Sequence, residues 1–108
     1  MPSGFFGKAK ITAVNTPTII GGSVPAGTVM TLNLRITNPT GTNVKVKVYI
    51  TNAANPVPAD DLYTPQATVI PSVPMDETCI VLSAGERLFY EADTLGVIAR
   101  VAGFGEPA

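Results

Sequence analysis

The sequence predicts an all-β protein: a single-domain antiparallel β-sandwich or jelly roll of seven to eight short strands. Ten glycines and ten prolines in 108 residues leave little room for helices. Apolar residues make up 45% of the chain, which is too many for a disordered segment. Two segments also alternate between apolar and polar residues, as half-buried strands do. The length fits one domain spanning residues 1–108.

The two alternating segments cover residues 30–37 and 44–51 and are rich in residues that favour strands. Their even positions are all apolar: Met30, Leu32, Leu34, Ile36, Val44, Val46, Val48 and Ile50. The link at residues 38–42 contains the Pro and Gly of a tight turn. We therefore expect a hairpin in which Ile36 lies opposite Val44, with both apolar sets on one face.

The other strands are predicted to be shorter and are separated by Pro, Gly and Asn. They are expected at residues 5–14, 18–20, 62–70, 77–82, 87–92 and 95–104. Pro65 interrupts one of them, which indicates an edge strand or a bend. Residues 86–95 contain no Gly or Pro and are the one alternative helix. Their apolar residues do not form a helical stripe, so a strand is favoured there.

Composition excludes several classes of function. A net charge of −1 excludes a strongly basic nucleic-acid binder. The chain has no His and a single Cys, which excludes an internal disulfide, a Cys/His zinc site and a His-based catalytic triad. No apolar run approaches the ~20 residues of a membrane helix. We expect no nucleic acid, membrane or cofactor as a partner, and the first ten residues do not resemble a secretory signal.

The acidic residues are the remaining candidates for chemistry. They are Asp60 and Asp61, Asp76 and Glu77, and the more widely spaced Glu86, Glu91 and Asp93. We interpret them as turn and solubility residues, because solvated carboxylates are normal in loops and at strand starts. The segment around Asp60 does not match a calcium-binding loop. We expect no catalytic residue, no metal site and no enzymatic activity, and we expect Cys79 to be a small buried hydrophobe.

An interface with a partner is the more plausible functional feature. The basic residues Arg35, Lys45 and Lys47 are expected to share the solvent face of the hairpin. They either meet an acidic partner or discourage aggregation between strand edges. Aromatic residues near the termini pack either on a neighbouring subunit or on the protein's own core. The candidate interface residues are Phe5, Phe6, Arg35, Lys45, Lys47 and Phe104.

A series of segments carries a resemblance to a known family. In order they are Val24–Thr28, Arg35–Asn38, Val48–Ile50, Ile70–Pro71, Val81–Glu86, Leu88–Tyr90 and Gly96–Phe104. This series resembles the small β-rich virion structural proteins of tailed bacteriophages, from Val24 to the C-terminus. The resemblance implies a β-sandwich or jelly roll that binds other virion proteins, and it brings no catalytic residues. Residues 1–20 fall outside it and are a candidate docking arm.

The leading hypothesis is a capsid decoration or cement protein that bridges neighbouring shell subunits. Its partners would be the major capsid protein and further copies of itself, with a trimer favoured, because a charge-poor chain rich in apolar residues must bury surface somewhere. It would be synthesised in the host cytoplasm and reside in the virion. One alternative is a tail, neck or fibre component. Another is a soluble carbohydrate- or peptide-binding module that uses Tyr49, which the predicted hairpin exposes.

Overall fold

A computed structural model describes residues 3–56, 61–71 and 73–107. Eight strands form in this part of the chain. They are β1 (Ser3–Lys10), β2 (Thr18–Ile20), β3 (Thr28–Thr37), β4 (Val44–Thr51), β5 (Leu62–Val69), β6 (Met75–Leu82), β7 (Arg87–Ala92) and β8 (Ile98–Pro107). The predicted strand at residues 87–92 is confirmed, and the alternative helix there is not formed.

The strands form two antiparallel four-stranded sheets. Sheet A has the order β1-β8-β3-β6, and sheet B has the order β2-β7-β4-β5. The predicted all-β sandwich is therefore confirmed. Its strand order is that of a jelly roll, in which eight strands are divided between two facing sheets. Strand β5 lies at an edge of sheet B, as the proline within it predicts.

The hydrophobic core fills the space between the two sheets. Both predicted alternating segments contribute their even-numbered side chains, and β7 and β8 add side chains from the middle of each sheet. Tyr90 also lies in this core and is completely buried. Its hydroxyl donates to the carbonyl of Val97 at 2.7 Å and is also 2.9 Å from the carbonyl of Ala9. The largest polar side chain of the core is thus hydrogen-bonded, as a buried phenol requires.

The predicted hairpin is wrong. Strand β3 pairs with β6 and β8, whereas β4 pairs with β5 and β7. The two segments therefore face each other across the core from different sheets. The link crosses between the sheets at a corner fixed by the buried Asn38, whose Nδ2 donates to the carbonyls of Thr42 (2.7 Å) and Val69 (2.9 Å). Alternation identifies the buried face of a strand and leaves its neighbour undetermined.

The expected burial of Cys79 is also wrong, because β6 contains a bulge. The pairing of β3 with β6 shifts its register between Leu32 and Leu34, and Cys79 sits there with a φ of 57°. The side-chain Oδ1 of Asn33 accepts the Cys79 N–H at 3.3 Å. The bulge directs Ile80 into the core and leaves Cys79 exposed.

The N-terminal residues belong to the sandwich. Strand β1 pairs with β8 along residues 3–10, and β2 pairs with β7 along residues 18–20. Residues 3–10 and 18–20 are therefore strands of the sandwich, and the candidate docking segment at residues 1–20 is not a free arm in this part. Any docking by this segment would use strands that are already paired within the protein, since residues 3–10 and 18–20 do not extend away as a free arm.

Candidate interaction surface

The predicted basic patch does not exist as one surface. Arg35 lies on the outer face of sheet A, on the side of β3 opposite its core residues. Lys45 and Lys47 lie on the outer face of sheet B, on the side of β4 opposite its core residues. The patch depended on the hairpin, and separating the two strands into different sheets moves these side chains to opposite sides of the molecule.

A row of charged side chains instead crosses all four strands of sheet A. Lys8 of β1 is paired with Arg100 of β8, Arg100 with Arg35 of β3, and Arg35 with Asp76 of β6. All four residues are exposed on the outer face, where Lys10 joins them. Four of the chain's seven lysines and arginines thus share this face. The sequence analysis missed three of them, because only long-range pairing between β1, β8 and β3 brings them together.

One ion pair fixes the end of this charged row. The Arg35 guanidinium binds both carboxylate oxygens of Asp76, through Nε to Oδ1 at 2.8 Å and Nη2 to Oδ2 at 3.0 Å. The hydrogen bond from Arg35 lowers the pKa of the Asp76 carboxyl below its ordinary value. Asp76 therefore stays ionised at neutral pH. Three cationic side chains and one carboxylate thus follow one another across the four strands of sheet A.

A shallow depression of about 340 Å³ lies at the centre of the same face. It sits between β8, β3 and β6, beside the bulge at Cys79. Its lining residues are Asn33, Leu34, Arg35, Asp76, Thr78, Arg100 and Ala102. Two guanidinium groups thus border a concave, partly polar surface.

Apolar side chains occupy the other part of this face. Phe104 of β8 and Val81 of β6 are both paired with Thr31 of β3, so they flank the same position from either side. Phe104, one of the predicted interface residues, is 40% exposed. The side chains of the other two predicted aromatic residues, Phe5 and Phe6, lie outside the described part of the structure.

The charged row adjoins one end of the sandwich, which we call the loop end. It is formed by the connections at residues 11–17, 38–43, 70–74 and 93–97. These connections carry four aliphatic side chains that are 41–55% exposed: Val14, Ile70, Val73 and Leu95. Asp93 is their one charged residue. Its Oδ1 accepts a hydrogen bond from the backbone N–H of Lys45 at 3.1 Å, so the loop end is apolar with a single, hydrogen-bonded charge.

Part of the outer face of sheet B is shielded from solvent. Tyr49 and Phe89 lie outside the central core, yet they are only 1% and 4% exposed. Near them, Arg87 Nη1 donates to the carbonyls of Asn52 (3.1 Å) and Ala53 (3.0 Å), just after the end of β4. The expected exposure of Tyr49 is therefore wrong. Its ring is not available as a binding platform for a sugar or peptide.

The buried Tyr49 hydroxyl donates to the carboxylate of Glu91 on the neighbouring strand. Burial, together with the hydrogen bond to Glu91 and the charge of its carboxylate, raises the pKa of the Tyr49 phenol to about 12. The phenol is therefore protonated throughout the physiological range. The Tyr49–Glu91 pair therefore belongs to the packing of this shielded part of sheet B, and it is not a reactive group.

The other candidate carboxylates also have structural contacts. Glu86 Oε1 accepts the Ser83 N–H at 2.6 Å, and Glu77 Oε1 accepts the Thr64 hydroxyl at 3.4 Å. Asp60 lies outside the described residues. Across residues 3–56, 61–71 and 73–107, no three potential metal ligands come together. The same part of the chain contains no helix long and apolar enough to cross a membrane.

Comparisons with family models, curated proteins and solved structures found no match to this chain. The surfaces of the molecule are therefore the basis for inferring its function. The most distinctive of them is the outer face of sheet A with the loop end beside it. It combines clustered cations, exposed apolar side chains and a concave centre.

Proposed function

We propose that this chain is a non-enzymatic structural protein of a virion, a capsid decoration or cement protein that docks through the outer face of sheet A. One observation carries the proposal: this face is open across all four strands and holds four of the seven cations beside exposed apolar residues. Such a face suits an acidic protein surface with apolar patches. Jelly rolls occur in viral capsid proteins, but also in lectins and cupins, so the fold is compatible with the proposal and does not select it.

The size of this face supports docking that includes the loop end. Four strands ~4.8 Å apart and about eight residues long, at ~3.3 Å per residue, give a footprint of roughly 500 Å². A stable protein interface usually buries about 800 Å² on each partner. The exposed aliphatic residues of the loop end adjoin the charged row and extend the available surface. We therefore assign the docking surface to both regions together.

The mechanism would be passive. Each copy that spans a boundary between shell subunits adds buried surface to the assembled state alone, which raises the free energy needed to separate those subunits. Many copies on one shell multiply this effect. The major capsid protein is the partner that this role requires. A trimer or other homo-oligomer would present several docking surfaces to the shell in a fixed arrangement.

The test is to add the purified chain back to virus particles assembled without it. We expect saturable co-sedimentation and regular density on the shell by electron cryo-microscopy. Val81→Asp, on the outer face of sheet A, should weaken binding at least tenfold. Leu62→Asp is the matched control, because Leu62 is an exposed aliphatic residue of sheet B and should bind as the wild type does.

Three outcomes would overturn the proposal. Density confined to the neck, tail or fibres would replace the shell role with the alternative one. Failure of the wild-type chain to bind any part of the particle would remove the virion role altogether. Equal loss of binding in both variants would instead show that sheet A is not the docking face.

A further inference from the structure

We propose that the loop end binds the surface of an anionic lipid bilayer, with its aliphatic side chains in the headgroup region and nearby lysines against the lipid phosphates. This inference goes beyond the proposed function and does not depend on it. The sequence analysis expected no membrane partner, because no segment is long enough to span a bilayer. A protein that lies on a bilayer needs no such segment, since exposed apolar side chains and clustered cations together can hold it there.

The connections of the loop end are joined into one body by hydrogen bonds. The Ile11 N–H donates to the carbonyl of Val97 at 2.9 Å, which joins the connection after β1 to the one before β8. Asn38 is bonded to the carbonyl of Val69, which joins the connection after β3 to the end of β5. The Asp93 carboxylate accepts a backbone N–H at the start of β4 and links these two pairs. The exposed side chains of the loop end are therefore held in fixed positions before any partner binds.

The loop end presents apolar surface with almost no charge. It carries the four aliphatic side chains that are 41–55% exposed, and Asp93 is its one charged residue. Side chains of this kind gain free energy when they leave water for the boundary between lipid headgroups and acyl chains. The backbone groups of the connections still need polar partners, so the contact stays within the interfacial layer.

All four lysines of the chain flank the loop end, and we call them the lysine collar. Lys8 and Lys10 are in the last three residues of β1, and Lys45 and Lys47 are in the first four residues of β4. At ~3.3 Å per residue, each lies within about 10 Å of the strand end that borders the loop end. Lipid phosphates would therefore be within reach of the lysines once the aliphatic side chains enter the headgroup region.

The opposite end of the sandwich has the reverse charge. Its connections, at residues 21–27, 52–61 and 83–86, contain three acidic residues and no Lys or Arg. An anionic surface attracts the lysine collar and repels these carboxylates. The charge distribution therefore orients the molecule with the loop end towards the bilayer.

The placement of the lysine collar favours a bilayer over a protein partner. Lys8 and Lys10 lie on the outer face of sheet A, whereas Lys45 and Lys47 lie on that of sheet B. A partner must extend past the molecule on both sides to meet all four, as a bilayer does. Lysine is also depleted in protein interfaces. Two copies joined through their loop ends would bring two collars together, and the like charges would repel.

Flotation of the purified chain with lipid vesicles tests the inference. The vesicles are phosphatidylcholine alone, or phosphatidylcholine and phosphatidylglycerol in a ratio of about 2:1. We expect the anionic vesicles to bind roughly tenfold more tightly than the neutral ones. Added sodium chloride should weaken that binding, because it screens the collar from the phosphates.

Variants locate the contact at the loop end. Leu95→Asp should weaken binding roughly tenfold, whereas Leu62→Asp, at the opposite end of sheet B, should leave it unchanged. Lys10→Gln should weaken binding to anionic vesicles about fivefold. Ser23→Asp makes the same change of net charge in an exposed connection at the opposite end, and it should have no effect.

A fluorescent reporter measures insertion without depending on a loss of binding. The chain contains no Trp, so a single introduced Trp gives the whole signal. Val73→Trp, at the loop end, should shift its emission to shorter wavelength when anionic vesicles are added. Leu62→Trp should show no such shift, because it stays in water.

Three results would overturn the inference. The first is wild-type protein that floats with neither kind of vesicle, and the second is equal binding to both kinds. The third is an equal effect of the loop-end variants and their controls. If the wild type fails to float and forms an oligomer that Leu95→Asp dissociates in light scattering, the loop end contacts a second copy instead.

The particle assay separates this inference from the proposed function. Val81→Asp lies on sheet A near the end of β6 that is away from the loop end, so it should weaken particle binding and leave vesicle binding unchanged. Wild-type protein that binds vesicles and no particle would keep the membrane contact and remove the virion role. Binding to particles and not to vesicles would do the reverse.

Discussion

The two outer faces of this sandwich differ although the strands beneath them are similar. On sheet B, the outward-facing Tyr49 and Phe89 are almost completely buried. On sheet A, the outer side chains of β3, β6 and β8 stay open to solvent. A face that the chain covers itself contributes to stability, whereas a face that it leaves open contributes little until a partner binds. The comparison therefore separates residues that hold the fold from residues available for recognition.

A matched pair of phenylalanines gives the largest expected effect. Phe89 on sheet B is 4% exposed, and Phe104 on sheet A is 40% exposed. We expect Phe89→Ala to lower the free energy of unfolding by about 3 kcal/mol, since it removes a nearly buried ring and leaves a cavity. Phe104→Ala should cost less than about 1 kcal/mol. Urea unfolding followed by circular dichroism measures both.

The concentration dependence of this experiment is its control. If the protein self-associates through sheet A, the loss caused by Phe104→Ala will grow with protein concentration, because the phenylalanine is then buried in the oligomer. Equal losses in the two variants at every concentration would contradict the difference between the faces.

A second prediction concerns the close contact between the two central strands of sheet A. A Cβ added at Gly103 would overlap the carbonyl oxygen of Thr31 and lie 2.9 Å from the Cα of Leu32. Both neighbours are backbone, so β8 and β3 would have to separate. We expect Gly103→Ala to lower the free energy of unfolding by about 2 kcal/mol and to weaken docking, because it distorts the open face. Urea unfolding and the particle assay measure these two effects.

The matched control for this prediction is Gly22→Ala. An added Cβ there meets nothing within 4 Å, so the free energy of unfolding should change by less than about 0.5 kcal/mol. Equal stability of the two variants would show that β3 and β8 do not approach so closely. It would also remove the expectation that Gly103 shapes the open face.

Sequence patterns predicted the fold class because burial leaves a local signal. Alternation in β3 and β4 identified their inward-facing side chains, and the proline in β5 indicated an edge strand. Strand pairing depends on contacts between distant segments, so a suitable turn at residues 38–42 suggested a hairpin that does not form. The bulge that exposes Cys79 was hidden for the same reason, since it is defined only relative to β3.

The proposed docking surface was less predictable than the fold. Arg35 and Phe104 were identified from the sequence, and both lie on the open face. Lys8 and Arg100 were missed, because 92 residues separate them in the chain and only the pairing of β1 with β8 brings them together. Tyr49 was misplaced because alternation cannot show that a later segment will cover an outward-facing side chain.

The smallest expected effect is a pH dependence specific to the covered face. Burial holds the pKa of Tyr49 at about 12, against an ordinary value of 10. Between these values the folded state keeps a proton that the unfolded state releases, so stability is complete below pH 10 and falls as the pH rises towards 12. Tyr49→Phe should cost about 1 kcal/mol at neutral pH through the lost hydrogen bond. Between pH 10 and 12, the free energy of unfolding of the variant should then fall by on the order of 1–2 kcal/mol less than that of the wild type.

Urea midpoints measured at neutral pH and at steps through the alkaline window test this difference. Burial also raises the pKa of Tyr90, but Tyr90 is present in both chains and contributes equally to each. The difference between wild type and variant therefore reports Tyr49 alone. Parallel curves would mean that Tyr49 titrates as an exposed phenol does, and that this part of sheet B is open in solution. Both outer faces would then be open, and exposure would no longer single out sheet A for docking.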